Sequence, residues 1–191
     1  MDLSSIFNQA ASSSSSLVEY LGVFFVCLGA ALAAALPGIG SAKGTGLVGQ
    51  AAAGVVAEDP SKFGKVLILQ VLPGTQGLYG FLTAILLLSN TGVLNGTGKD
   101  ILWYEGLAYF AACLPIMIVG LLSALAQAKT AAAGVGLVAK NPEQSGKAII
   151  FAAMVETYAV LALLVSLLAI MSLKNVFAAK INTNGREKHV S

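Results

Sequence analysis

Glu156 is the single acid inside residues 148–173, a stretch that is otherwise free of charge. Insertion scales put an acidic group at mid-membrane at roughly 2.5–3.5 kcal/mol unfavourable, and such groups commonly mark an ion or proton path. The plainer alternative is a structural glutamate bonded to a neighbouring helix. Its surroundings favour the path. Glu156 lies fourteen residues beyond Pro142, roughly 21 Å in at a helical rise of ~1.5 Å per residue. Gln127 lies fifteen residues before Pro142, at a similar depth. Leu72, Thr75, Gln76 and Tyr79 lie twelve to nineteen residues past Pro60 and share one helix face by their i, i+3, i+4, i+7 spacing. Polar groups in lipid must satisfy one another. A carboxylate, two amides, a hydroxyl and a phenol are therefore expected to meet at one level. Pro73 adds a second device, because it has no N–H for the Leu69 carbonyl and tends to bend its helix. Backbone oxygens beside the bend can then turn toward a ligand, and oxygen ligands suit a hard cation such as sodium. Taken alone, a membrane proline can equally be a mere kink.

The elements that must position these residues follow from composition. Apolar residues make up 57% of the 191 and charged ones 10%. A soluble domain carries about a quarter charged residues, so this chain belongs in a membrane. Residues 21–42, 66–90, 106–128 and 148–173 are each long enough to cross the hydrocarbon as a helix, which takes about 20 residues. No barrel-like alternation is present. The first and third helices are expected to run on through Lys43 and Lys129 to the polar turns at Glu58-Asp59-Pro60 and Lys140-Asn141-Pro142, where proline opens the next helix. The net charge of +2 is small and scattered, which argues against a nucleic-acid partner. Cys27 and Cys113 stand alone and read as packing residues. His189, the sole histidine, sits in a polar tail, which excludes a His-based metal site or triad. The stretch Gly44-Thr45-Gly46-Leu47-Val48-Gly49 fits a dinucleotide fingerprint, but no strand precedes it and no acid follows at the required distance. With Gly38 and Gly40, these glycines read instead as sites of close helix approach.

The two halves are repeats. An offset of 82 pairs Pro60, Gly64, Lys65 and Thr75 with Pro142, Gly146, Lys147 and Thr157, and an offset of 86 pairs Ser41 and Lys43 with Gln127 and Lys129. The fold class is an all-α membrane protein, with four transmembrane helices as two tandem parallel-repeat helical hairpins. Residues 1–16 form a serine-rich, poorly ordered lead with no basic region of a signal peptide. Residues 17–90 form the first hairpin, 91–105 a connecting loop, 106–173 the second hairpin and 174–191 a polar tail. In the first hairpin Gly74 stands at the position of Glu156 and Ser41 at that of Gln127. One ion per chain is the expectation.

Three stretches carry a family resemblance. They are Leu36-Pro37-Gly38-Ile39-Gly40-Ser41-Ala42-Lys43-Gly44, then Leu69-Gln70-Val71-Leu72-Pro73-Gly74-Thr75-Gln76-Gly77-Leu78-Tyr79-Gly80, then Ile149-Ile150-Phe151-Ala152-Ala153-Met154-Val155-Glu156-Thr157-Tyr158-Ala159. From about Gly22 to Leu173 the chain resembles the proteolipid K subunits of bacterial V-type (A/V-type) ATPases. The resemblance implies a non-catalytic rotor-ring subunit of identical copies, with the first and third helices inside the ring. It implies a multi-pass protein of the bacterial cell membrane that meets a stator subunit bearing a positive charge, and central-stalk subunits at the polar turns. It implies no cofactor, only a transported ion. The ion ligands it implies are Glu156, Gln127, Thr75, Gln76 and the Leu72 carbonyl, with Tyr79 bonding the carboxylate. All those side chains are present, which favours sodium over the proton of other such rings. A small four-helix proton-coupled antiporter is a rival of another class, but resemblance to that family would put the glutamate in the first helix.

Overall fold

The computed structural model describes the backbone of residues 3–97 and 101–187, and side-chain surroundings for 20–97 and 101–179. Lys99 of the connecting loop and His189 of the tail lie outside the described residues. Among the described residues the chain is helical and has no strand. Helix α1 spans Leu3–Glu58. The second span is built of α2, Phe63–Val71, and α3, Thr75–Asn90, joined through a tight 3₁₀ turn at Leu72–Gly74. Helices α4, Trp103–Lys140, and α5, Ser145–Glu187, form the second hairpin. Four segments are long and apolar enough to cross a membrane: Tyr20–Glu58, Pro60–Asn90, Trp103–Lys140 and Pro142–Ala179.

Both long helices run past their lysines to the polar turns, as the sequence predicts. The lead differs from expectation. α1 already begins at Leu3, so backbone expected as a poorly ordered lead is helical, and α5 continues into the polar tail to Glu187. Serine lowers helix propensity by only tenths of a kcal/mol, and each residue added to an existing helix gains a hydrogen bond.

Each polar turn starts a helix by local chemistry. Asp59 caps the short turn Pro60–Lys62, its carboxylate accepting from the Ser61 N–H at 3.1 Å and the Ser61 hydroxyl at 2.6 Å. Those two donors hold the Asp59 carboxyl below its ordinary pKa. The first turn also grips the second. Lys62 donates its ammonium to the Ala139 carbonyl at 2.9 Å, and Lys65 donates to the Pro142 carbonyl at 3.2 Å. The Ala139 carbonyl lies in the last turn of α4, where a helix has unpaired acceptors and a negative dipole end, and the Pro142 carbonyl opens the turn that follows. On the opposite face α3 ends in turns at 91–96, where Gly92 and Gly96 take left-handed φ of 73° and 71° that side chains disfavour.

Packing follows the small residues. α1 and α4 lie against each other at the centre, with the second span on α1 and α5 on α4. A Cβ on Gly40 would sit 2.8 Å from the Leu121 carbonyl oxygen, and one on Gly80 would overlap the Ala33 carbonyl. The Pro37 ring lies between Gly80 and Gly120. Gly46 differs from the expectation of close approach: it is exposed and a side chain there would meet open space. A Cβ on Gly38 would also meet open space, but its Cα lies 3.5 Å from the place a Cβ on Gly77 would take, so α3 passes close to it.

The core is divided. One cluster includes Val26, Ala33, Leu87, Ile116, Met117 and Ile170, toward the termini. The other includes Val48, Val66, Leu69, Val135, Val138 and Ala148, toward the polar turns. Between them lies a layer of buried polar groups, among them Ser41, Gln76, Ser123 and Gln127.

The glycine contacts set a test. Gly80→Ala should destabilise the detergent-solubilised protein by about 1–3 kcal/mol through overpacking, read as a lower thermal midpoint. Gly146→Ala, with open space around it, should be neutral or slightly stabilising. Equal midpoints for the two variants would contradict the close approach of α1 and α3.

Candidate functional site

The polar groups linked to Glu156 come from three of the four spans. Pro73 is buried and breaks the second span where the sequence places the bend. The backbone there tightens, so that the Thr75 N–H bonds the Leu72 carbonyl three residues back. Thr75 also donates its hydroxyl to the Leu72 carbonyl at 3.0 Å and lies 3.4 Å from Gln76 Oε1. Thus the Leu72 carbonyl, the Thr75 hydroxyl and the Gln76 amide oxygen converge on one side of the break.

Gln76 and Gln127 are both fully buried. Gln76 Nε2 donates to Gln127 Oε1, and Gln127 Nε2 donates to the Ala152 carbonyl at 3.2 Å and to Glu156 Oε2 at 3.4 Å. Two amides taken out of water would each cost a few kcal/mol if unpaired. Bonded in series they carry the second span through α4 to α5. The other carboxylate oxygen of Glu156, Oε1, accepts from the Tyr79 hydroxyl at 2.6 Å. Glu156 therefore has a donor on each oxygen, as a carboxylate held in a low dielectric requires.

Glu156 itself is half-buried. It lines a shallow groove on the outer face of α5 with Ala153, Thr157, Val160 and Leu161. The carboxylate stands at the boundary between the internal polar layer and the apolar surface of α5, where Phe151, Met154, Tyr158 and Leu161 are exposed.

All six residues singled out from the sequence lie in this layer. Tyr79 and Gln127 touch the carboxylate directly, Gln76 reaches it through Gln127, and Thr75 and Leu72 supply oxygens at the break. The donor set is oxygen-rich and carries one acid, which fits a monovalent hard cation better than a soft or multiply charged metal. Three partners escaped the sequence reading. The Ala152 carbonyl fixes Gln127, Ser123 donates to the Val155 carbonyl at 3.1 Å, and the Gly77 N–H reaches Ser41 Oγ at 2.8 Å. Ser41 alone had a signal, its place as the counterpart of Gln127.

A profile of the ATP synthase C-subunit family matches the chain twice, over residues 28–87 and 110–169, once in each hairpin. The chain is 50% identical over 161 residues to the V-type sodium ATPase subunit K of Enterococcus hirae, covering 82% of this chain and 99% of that one. It is 44% identical over 144 residues to the A-type ATP synthase subunit K of Methanocaldococcus jannaschii, covering 75% of this chain and 60% of that protein. It is 28% identical over 157 residues to the 16 kDa proteolipid of the human V-type proton ATPase, covering 82% and 97%.

The paired amides can be tested without any ion. Gln127→Ala leaves the buried Gln76 amide without its acceptor and should cost about 1–3 kcal/mol. Removing both amides should cost clearly less than the sum of the two single changes in a double-mutant cycle. Additive losses in thermal stability would mean that the two side chains do not bond.

Proposed function

The chain belongs to the ATP synthase C-subunit family, and we propose that it is a rotor-ring subunit of a V-type ATPase, with one sodium ion held per chain at Glu156. The observation that carries this reading is the convergence of one half-buried carboxylate with Gln127, Gln76, Thr75 and the Leu72 carbonyl in a single layer. A proton needs only the carboxyl. The two amides, the hydroxyl and the broken backbone would be surplus to it. The relative from Enterococcus hirae bears the name of a sodium ATPase, which supports the same choice.

In this reading Glu156, Gln127, Gln76, Thr75 and the Leu72 carbonyl hold the ion, and Tyr79 orients the carboxylate by its hydrogen bond. Identical copies form a ring with α1 and α4 inward and α5 outward. The Glu156 groove opens on that outer face, toward lipid or the stator subunit. A bare carboxylate facing hydrocarbon is costly, so a copy can turn through lipid only when a cation neutralises it. A positive charge on the stator subunit favours the empty, charged form and releases the ion. The polar turns, with Lys62, Lys65, Lys140 and Lys147, face the central stalk. The catalysis of ATP lies in other subunits, and this chain is a multi-pass protein of a bacterial cell membrane. The two hairpins, 17–90 and 106–173, are its working units, with Gly74 in the first where the second has its acid.

Two measurements test the reading. Glu156→Gln keeps the volume and removes the charge, and should abolish coupled transport by the assembled complex while the protein still inserts. Carbodiimides attack protonated carboxyls and can reach Glu156 through its groove. Millimolar sodium should therefore slow labelling of Glu156 at fixed pH, with one site per chain, and Gln127→Ala should shift this protection to higher sodium. Absence of protection at every concentration would assign the ring to protons.

A further inference from the structure

The first hairpin has Gly74 where the second has Glu156, yet its α1 holds the broken segment on which three of the proposed ligands sit. Gly44 receives the Pro73 ring, since a Cβ there would lie 2.8 Å from Pro73 Cβ. One turn earlier Ser41, buried at 7% exposure, accepts the Gly77 N–H at 2.8 Å. In an unbroken helix that N–H would have only the Pro73 carbonyl as its partner. The approach is close, because a Cβ on Gly77 would sit 3.3 Å from both Ser41 Cβ and Ser41 Oγ. The Leu72 carbonyl, Thr75 and Gln76 thus lie between two points of fixation, the seated proline and the Ser41 hydroxyl.

We propose that Ser41 is a positioning residue for the ion site: without touching the ion, its hydroxyl fixes the first turn of α3 and so aims the Leu72 carbonyl, Thr75 and Gln76. Ser41 is the repeat counterpart of Gln127. Each of the two ties an odd-numbered span to the following even-numbered one at the same level. In the second hairpin the tie also reaches the carboxylate; in the first it ends on backbone. A segment that follows a proline break is oriented by the contacts its first turn makes, and Ser41 gives the first turn of α3 an acceptor on the neighbouring span. The bond lies on the side of the site away from the carboxylate, which is held separately by Tyr79 and Gln127.

This inference rests on the sodium reading above, and the test separates the two. Membranes containing the assembled ring are labelled with a carbodiimide at fixed pH over a range of sodium concentrations. Ser41→Ala removes one net hydrogen bond, and should raise the sodium concentration for half-protection about five-fold. The labelling rate without sodium should stay as in the parent, because the contacts of Glu156 are intact. Ser41→Thr, which keeps the hydroxyl, should restore protection at the parent concentration. If the parent itself is not protected by sodium, the sodium reading fails. If the parent is protected and Ser41→Ala is protected equally, the positioning role fails. A change in the sodium-free rate, or failure of Ser41→Ala to assemble, would place the hydroxyl in the fold at large and overturn it as well.

Discussion

A carboxylate set among apolar helices must have its charge answered locally, and the whole mid-plane of this protein is organised by that demand at Glu156. Its two oxygens take donors from two different spans, Tyr79 and Gln127. Gln127 is in turn buried and must satisfy its own amide, which it does through Gln76 and the Ala152 carbonyl. A single ionisable group thereby recruits side chains from the second, third and fourth spans into one bonded layer. Apolar clusters flank that layer, and the bond between the fully buried Gln76 and Gln127 is stronger there than at a surface.

Much of this was legible in the sequence, and the reason is geometric. Membrane helices start at polar turns and rise by a constant increment, so counting from Pro60 and Pro142 is enough to place Glu156, Gln127, Thr75 and Gln76 at one depth. The repeat then tells which helices are neighbours in kind. The four spans, the long helices running past Lys43 and Lys129, and the local break at Pro73 all follow from such counting. What could not be read was rotation about each helix axis. Gly38 and Gly40 are two residues apart and identical in type, yet a Cβ on the first would meet open space and one on the second the Leu121 carbonyl. Bonds to backbone are hidden for the same reason. The Ala152 carbonyl and the Gly77 N–H carry no residue code, and Ser41 reads as a mere loss of Gln127 until its partner is seen. The helical start at Leu3 was missed because polar composition was weighed above the low cost of extending a helix.

The two hairpins show how a duplicated unit can divide labour. The second keeps the acid and the long amide that reaches it. The first keeps the proline break and the small residues that let its two spans approach each other, and has Gly74 at the position of the acid. In the reading proposed above, neither hairpin contains a whole site. The segment that carries Leu72, Thr75 and Gln76 is brought against the carboxylate of the other hairpin, and glycines along α1 and α4 permit that close approach.

The lysine contacts between the polar turns have a mechanical consequence. From the start of the second span Lys62 reaches the Ala139 carbonyl at the end of the third and Lys65 the Pro142 carbonyl at the start of the fourth, so the two turns are fastened together. A sideways push on either turn travels through two ammonium–carbonyl bonds into both hairpins before it loads the apolar packing between helices. In the proposed rotor such a fastening would hold the Leu72–Gln76 segment of one hairpin in register with Glu156 of the other while torque passes through.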